Sequence, residues 1–442
     1  MPLSFHKIAI PHNLILCAIL VAAGAAVYKV SDRPASAHFQ IPVIATQSSH
    51  ALLGKQSHFV SNTQNIHTHA ASLIELGDGR IRAFWFAGSR EGAPDVEIRS
   101  AVYDPLSDHW GAEQMIANRE YTQRSLLRYV KKLGNPVAHR ATDGTLWLFY
   151  VTVSLGGWAG SSITAITSAD DGTSWGPARR LITSPFLNIS TLVKGTPFNY
   201  DDGSIGLPVY HEFIGKFGEI LRIKNNGRIS NTVAIIDKTR LSSGNTSLQP
   251  VVLIKSPQQA IALMRYSGAS PRRVIATATK DAGQHWGAPV KIALANPDAA
   301  ISGVMLPDGR ILMALNDTEQ GRDALSLVIS SDDGKSWKTI YHLEDQRAQP
   351  IGQEHYMQVT AELAKATDAG ITDAADYARS AQRNKCEVQH CGYEFSYPYL
   401  IQAHNGELHL VYTWNRSFIK HIRFTRAWLD TQLKNTTDAQ LH

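Results

Sequence analysis

The sequence predicts an all-β chain: a six-bladed β-propeller with a short helical insertion before the last blade. Three observations carry that prediction. The pattern Ser-x-Asp-x-Gly-x-x-Trp occurs as Ser168–Trp175, as Thr279–Trp286 with Thr in place of Ser, and as Ser330–Trp337. Its Asp can hydrogen-bond its own turn, its Gly takes a positive φ, and its Trp pins the hairpin to a neighbour. An apolar run, a tight Asp-Gly or Asn-Gly pair and a second apolar run also recur along the chain. Three gaps between these units are roughly 55–65 residues, the length of a four-stranded blade. An open β-sandwich does not explain such regular self-similarity.

From the N-terminus, Leu14 to Val27 is an unbroken apolar run, preceded by His6 and Lys7 and followed by Lys29. It is short for a spanning helix and suits a signal peptide. Ala35-Ser36-Ala37 and Ala23-Gly24-Ala25 are cleavage candidates, and Tyr28 to Val30 could lengthen the run into an anchor. Residues 1–37 are therefore expected to be a signal peptide or membrane anchor, and 38–442 the propeller. Cys17 follows Leu16, where a lipoprotein signal wants a small residue. The turns Asp78-Gly79, Asp143-Gly144, Asp202-Gly203, Asp308-Gly309 and Asn405-Gly406 each mark a unit. Another unit spans Leu248 to Tyr266, with Ser256-Pro257-Gln258-Gln259 as its turn. Degenerate outer turns are expected near Asp108-His109-Trp110 and at Asn225-Asn226-Gly227. The insertion runs from about 345 to 391; its middle, Tyr356 to Arg383, is rich in Ala, Glu, Gln and Lys and reads as helical. Without a hairpin signal it is expected to be a lid or a side decoration.

The net charge of +5 suits an anionic ligand, and no basic run dense enough for nucleic acid appears. Of the 3 cysteines, Cys386 and Cys391 lie in the insertion, where an exported protein could bond them. No C-x-x-C or His pair at ligand spacing calls for zinc, and no cofactor is expected. The expected state is a monomer outside the cytoplasm, periplasmic or anchored, with membrane contact only through the N-terminal segment.

In each unit the Asp-Gly turn joins the innermost strand to the second. The start of the first strand and the end of the second therefore meet on the opposite face. Strand starts place His67, His69, Asn135, Lys194, Gln249, Ser302 and Tyr397 there. Second-strand ends and their loops add Arg90, Glu91, Asp95, Tyr210, His211, Arg265, Asn316, Arg322, Trp414 and Arg416. Convergent polar groups of this kind belong to a binding pocket. Arg90, Arg265 and Arg322 come from three units, and Arg is the residue for a bidentate grip on a carboxylate. Each alone serves equally well in a surface ion pair.

The region from about Thr68 to His421 resembles the sialidase superfamily, most closely its bacterial predicted-neuraminidase branch, whose Asp-box repeat matches the three Ser-x-Asp-x-Gly-x-x-Trp turns. The stretch Ala83 to Asp95 is similar to the segment carrying an Arg and, five residues on, the acid/base Asp. The resemblance thus implies an acid/base role for Asp95 and a supporting role for Arg90. Leu263-Met264-Arg265 and Arg322 to Leu327 resemble two segments that each carry an arginine of the carboxylate-binding triad. The family's first Arg-Ile-Pro is His69-Ala70-Ala71 here. Its nucleophilic Tyr falls on Phe395, before Ser396, so Tyr397 or Tyr393 can substitute only by a shift in register. Its activating Glu falls near Leu248 and Gln249, neither of which accepts a proton.

Asp95, Tyr397 and His69 are the candidate catalytic residues. Arg90, Glu91, Asn135, Gln249, Arg265, Arg322 and Arg416 are the candidate substrate-binding residues. Three functions fit them. One is an exo-α-sialidase-like hydrolase on acidic sugars of exported glycans, with Asp95 as acid, walled by Trp85 and Phe86 to raise its pKa. Another is a uronate-specific lyase using His69, His211, Tyr210 or Tyr397. The third is a carbohydrate-binding propeller without catalysis.

Overall fold

The computed structural model describes residues 37–44 and 54–438, except 185–187, 214, 225–231, 242–243, 348–350, 369 and 389, with scattered positions between 13 and 24. The chain divides into Met1–Ala37 and His38–His442. Most of the expected signal segment, and the turn Asn225-Asn226-Gly227, lie outside the described residues. No helix among the described residues is long and apolar enough to cross a membrane.

His38–His442 is all-β with few helices. β1 (Lys55–Phe59) opens it, and a first set follows: β2 (His67–Glu75), β3 (Ile81–Gly88), β4 (Glu97–Asp104), β5 (His109–Trp110) and β6 (Gln114–Ala117). The second set is β7 (Lys132–Arg140), β8 (Leu146–Val153), β9 (Ser161–Ser168) and β10 (Arg179–Leu181). The third is β11 (Leu192–Val193), β12 (Phe198–Asn199), β13 (Ile205–His211), β14 (Phe217–Lys224) and β15 (Thr232–Arg240). A parallel pairing of β10 with β15 joins the second and third sets into one sheet. The fourth holds β16 (Ser247–Ile254), β17 (Ala260–Tyr266), β18 (Arg273–Thr279) and β19 (Val290–Ala295). The fifth holds β20 (Ser302–Met305), β21 (Ile311–Leu315), β22 (Ala324–Ser330) and β23 (Lys338–Asp345). The last is β24 (Phe395–Gln402), β25 (Leu408–Trp414) and β26 (Phe418–Phe424), and β1 pairs antiparallel with β26 to complete it. Inner strands pack on one another in sequence, β2 on β7, β7 on β11, β13 on β16, β16 on β20, β20 on β24 and β24 back on β2. The sheets therefore close on themselves.

Antiparallel pairing puts strand starts beside strand ends. His67 lies opposite Gly88, Lys132 opposite Val153, Ser247 opposite Tyr266 and Phe395 opposite Trp414. Those ends gather on the face away from the Asp-Gly turns. Side chains such as Trp85, Trp147, Leu207 and Val411 are buried together in one core. Each is worth about 1.5–3 kcal/mol relative to exposure.

The three Asp-containing turns bond alike. Asp170 accepts from the Ser174 N–H and hydroxyl, Asp281 from the His285 N–H, and Asp332 from the Ser336 N–H and hydroxyl. The following residue and glycine both take positive φ: Asp171 and Gly172, Ala282 and Gly283, Asp333 and Gly334.

Four α-helices lie among the described residues of His38–His442: α1 (Arg119–Leu126), α2 (Gln353–Thr367), α3 (Ala374–Lys385) and α4 (Arg426–Asp438). The insertion is two helices rather than one, because Asp368 ends α2 and Asp373 caps α3 by accepting from the Ala375 and Asp376 N–H groups. Cys386 and Cys391 are disulfide-bonded just after α3.

Candidate functional site

Four first strands lose register near their starts. Pairing slips between His69 and Ser72, Gly134 and Val137, Leu248 and Val251, and Ser396 and Tyr399. One residue in each slip turns left-handed: Ala70 (φ 54°), Asn135 (46°), Gln249 (52°) and Tyr397 (55°). Side chains other than glycine rarely adopt that conformation. In three cases proline follows, Pro136, Pro250 and Pro398. Proline has no N–H for the ladder and forces a bulge.

The bulges bring Asn135, Gln249 and Tyr397 together. The Gln249 Nε2 donates to the hydroxyls of Tyr210 (3.4 Å) and Tyr397 (3.3 Å). Its Oε1 accepts from Arg265 Nη1 at 3.3 Å, and Asn135 donates to the same Tyr210 hydroxyl at 3.4 Å. Arg265 has only donors, so it fixes which end of the amide faces it. The amide therefore presents N–H groups to Tyr397 and cannot take its proton. The His69 ring lies 4.2 Å from the Tyr397 ring, with Nδ1 2.9 Å from Thr413 Oγ1.

Cations dominate this centre. Arg265 pairs with Asp298, and Arg322 donates to the Asp298 carbonyl at 2.9 Å. Glu394 Oε1 meets Arg416 Nε at 2.7 Å and Arg322 Nη1 at 3.6 Å, while its Oε2 accepts from Lys385 at 2.9 Å. Arg416 also reaches Glu91 at 2.8 Å. Burial pushes the Glu394 carboxyl up, but Arg416, Lys385 and Arg322 together hold it down at about 2. Burial, reinforced by Arg416, lowers His67 to about 4 and His69 well below the usual imidazole range. Both are neutral at neutral pH. Burial lowers the Lys194 ammonium to about 7; its Nζ donates to the Pro398 carbonyl at 3.0 Å and lies 5.9 Å from the Tyr397 ring. Burial also lifts the Tyr210 phenol well above its ordinary value.

Residues 79–410 match the family model described as a BNR repeat-like domain. The chain belongs to that family. It is similar to the Hadza microbial sialidase Hz136 (14% identity, TM-score 0.57), covering 81% of this chain and 66% of that one. It therefore spans slightly less than two thirds of that sialidase. It is also similar to the NanB sialidase from Streptococcus pneumoniae (11%, TM-score 0.55; 90% of this chain, 72% of that chain). The intramolecular trans-sialidase from Ruminococcus gnavus is a third (11%, TM-score 0.56; 84% of this chain, 97% of that chain). No curated protein matches in sequence.

The residues singled out in the sequence do not all come together. His69, Asn135, Gln249, Arg265, Tyr397, Arg322, Arg416 and Glu91 fall in the connected cluster just described. Tyr397 enters it through the β24 bulge, whereas Phe395 and Leu248 are buried in the core. Asp95 and Arg90 lie between β3 and β4, both exposed. Asp95 accepts from the Ser89 N–H and hydroxyl, each at 2.9 Å. Trp85 and Phe86 are buried in the core, so the expected apolar wall does not enclose the exposed Asp95. His211 bonds Glu219 at 3.2 Å and stacks on Phe217, along its own sheet. Asn316 donates to the Ala324 and Phe395 carbonyls, a structural role. Sequence reasoning missed Glu394, Asp298 and Lys385. The X-Pro pairs inside first strands were the available signal for the bulges.

Proposed function

We propose that this chain is a sialidase-type glycoside hydrolase acting on an acidic sugar, built on a six-bladed propeller with Asp-box turns. The observation that carries the reading is Tyr397 meeting the Arg265-bound Gln249 amide, on a fold shared with sialidases. Arg265, Arg322 and Arg416 would hold the sugar carboxylate by charge-assisted bonds. Asp95, between β3 and β4, would protonate the leaving oxygen. Because Gln249 is no base, attack falls to water or to an unactivated Tyr397. Export to an oxidising compartment is part of the reading, since the Cys386–Cys391 bond persists there.

The test is product analysis by NMR on α-sialosides and uronate glycans. Release of the free acidic sugar is expected. An unsaturated product, or none, overturns the hydrolase. The Gln249 amide itself favours a second reading, a carbohydrate-binding protein without turnover. Binding without product in the wild type, with turnover appearing in Gln249→Glu, selects that reading, because the new carboxylate supplies the missing base.

A further inference from the structure

The helical insertion touches the site directly. At the end of α3, Asn384 Nδ2 donates to the carbonyls of Ile66 (3.1 Å) and Arg416 (3.3 Å) and to Ser417 Oγ (2.9 Å). Lys385 follows, its Nζ 2.9 Å from Glu394 Oε2. The next residue, Cys386, is bonded to Cys391. Backbone bridges join Cys386 to Cys391 and Ile351 to Cys391, and the Gly392 N–H donates to the Lys385 carbonyl at 3.3 Å. The closed loop thus returns the chain beside Lys385 just before Glu394.

Glu394 carries the contact inward. Its Oε1 accepts from Arg416 Nε at 2.7 Å and from the Ser396 hydroxyl at 2.9 Å, and faces Arg322 at 3.6 Å. Glu394, even with Glu91 on Arg416, leaves the three cations Lys385, Arg416 and Arg322 one negative charge short. The guanidiniums are therefore oriented while positive charge remains for an incoming carboxylate. Without Lys385, Glu394 is free to turn both oxygens onto Arg416.

We infer that Lys385 is a positioning residue of the acidic-sugar site: held by the Cys386–Cys391 loop, it fixes Glu394, and through Glu394 it sets Arg416 and Arg322. The inference rests on the proposed acidic-sugar reading, and its test separates the two. Calorimetry measures binding of N-acetylneuraminic acid and of galactose. NMR follows His67 protonation with no sugar present. His67 is lowered by burial and by Arg416 and Lys385, and raised by Glu91 and Glu394.

Lys385→Met and the pair Cys386→Ser/Cys391→Ser should each lose about tenfold in affinity for the acidic sugar, the lower end for a charged hydrogen bond. Lys385→Arg should retain it, and galactose binding should not respond. The serine pair removes no charge, so with the ring still buried His67 shifts upward if Lys385 leaves its place. An unmoved His67 in that variant overturns the inference. A wild type that binds no acidic sugar, with His67 shifting as expected, overturns the proposed function and leaves the positioning intact. Should the serine pair not fold, the disulfide of the folded wild type is opened with a phosphine. Water supplies the thiol protons and the oxygen of the phosphine oxide, and His67 is read on the same criterion.

Discussion

The outer turns and the inner bulges rest on the same backbone device, a left-handed residue beside an antiparallel pair. In the outer turns it is followed by glycine, and the bonds are short and local: Asp170 to the Ser174 hydroxyl and Asp332 to the Ser336 hydroxyl are both 2.6 Å. Each turn satisfies itself. At the inner bulges the left-handed residues are Ala70, Asn135, Gln249 and Tyr397, all different. The side chains of Asn135, Gln249 and Tyr397 bond across the ring at 3.3 and 3.4 Å, long for such bonds. Capacity left over in those bonds can go to a ligand. A motif complete in itself repeats unchanged, whereas one that bonds only to other sheets can vary and carry chemistry.

The largest test of this contrast is at the centre. Tyr397→Phe or Asp95→Asn should lower turnover by about 10²–10⁴-fold, the usual worth of a positioned proton donor or acceptor, with the melting curve nearly unchanged. Normal turnover in both removes the sialidase-type reading. Next, Arg265→Ala or Arg322→Ala should weaken acidic-sugar binding by about 1.5–3 kcal/mol and leave neutral sugars alone. Equal losses for both sugars would mean the substitution had disturbed the fold.

The outer turns should respond in the opposite way. Gly172 has φ 83°, and a Cβ there would meet Arg82, which donates to the Gly172 carbonyl at 3.1 Å. Gly172→Ala should cost about 1–2 kcal/mol of stability in urea unfolding, with kcat unchanged. An altered kcat would break the separation of the two regions. The smallest effect concerns pH. Lys194 is lowered to about 7, so its ammonium is present below that pH and lost above it. Acidic-sugar affinity should fall by about threefold as pH rises through 7, the scale of a screened charge. In Lys194→Met that step should vanish, and a persisting step assigns it to another group.

Strand pairs were legible because hairpin turns are local. Asp78-Gly79 or Asn405-Gly406 announces its strands within a few residues. The helices of the insertion and the pairing of Cys386 with Cys391 were readable for the same reason. Tyr397 was ambiguous from the sequence because its place depends on a one-residue slip, and the alternation of sides in a strand reverses with each such slip. The proline after it, repeated after Asn135 and Gln249, held the missing information. Glu394, Asp298 and Lys385 carried no local mark. Their meaning comes from Arg322, which arrives from another sheet, and from Arg416, which the β24–β25 pairing brings beside Glu394, and no spacing rule encodes that meeting. The exposure of Asp95 was equally hidden, because Trp85 and Phe86 are near it along the chain but turn into the core.

The pairing of β1 with β26 has a temporal consequence. A chain made or threaded from its N-terminus delivers Lys55–Phe59 long before Phe418–Phe424 exists. Until then β1 is an open edge with unpaired backbone groups, a template for pairing with another molecule. Closure joins strands near opposite ends of the chain, the kind of contact that slows folding. The ring therefore locks late, and losing the last strands would leave the early sheets with an unsealed seam.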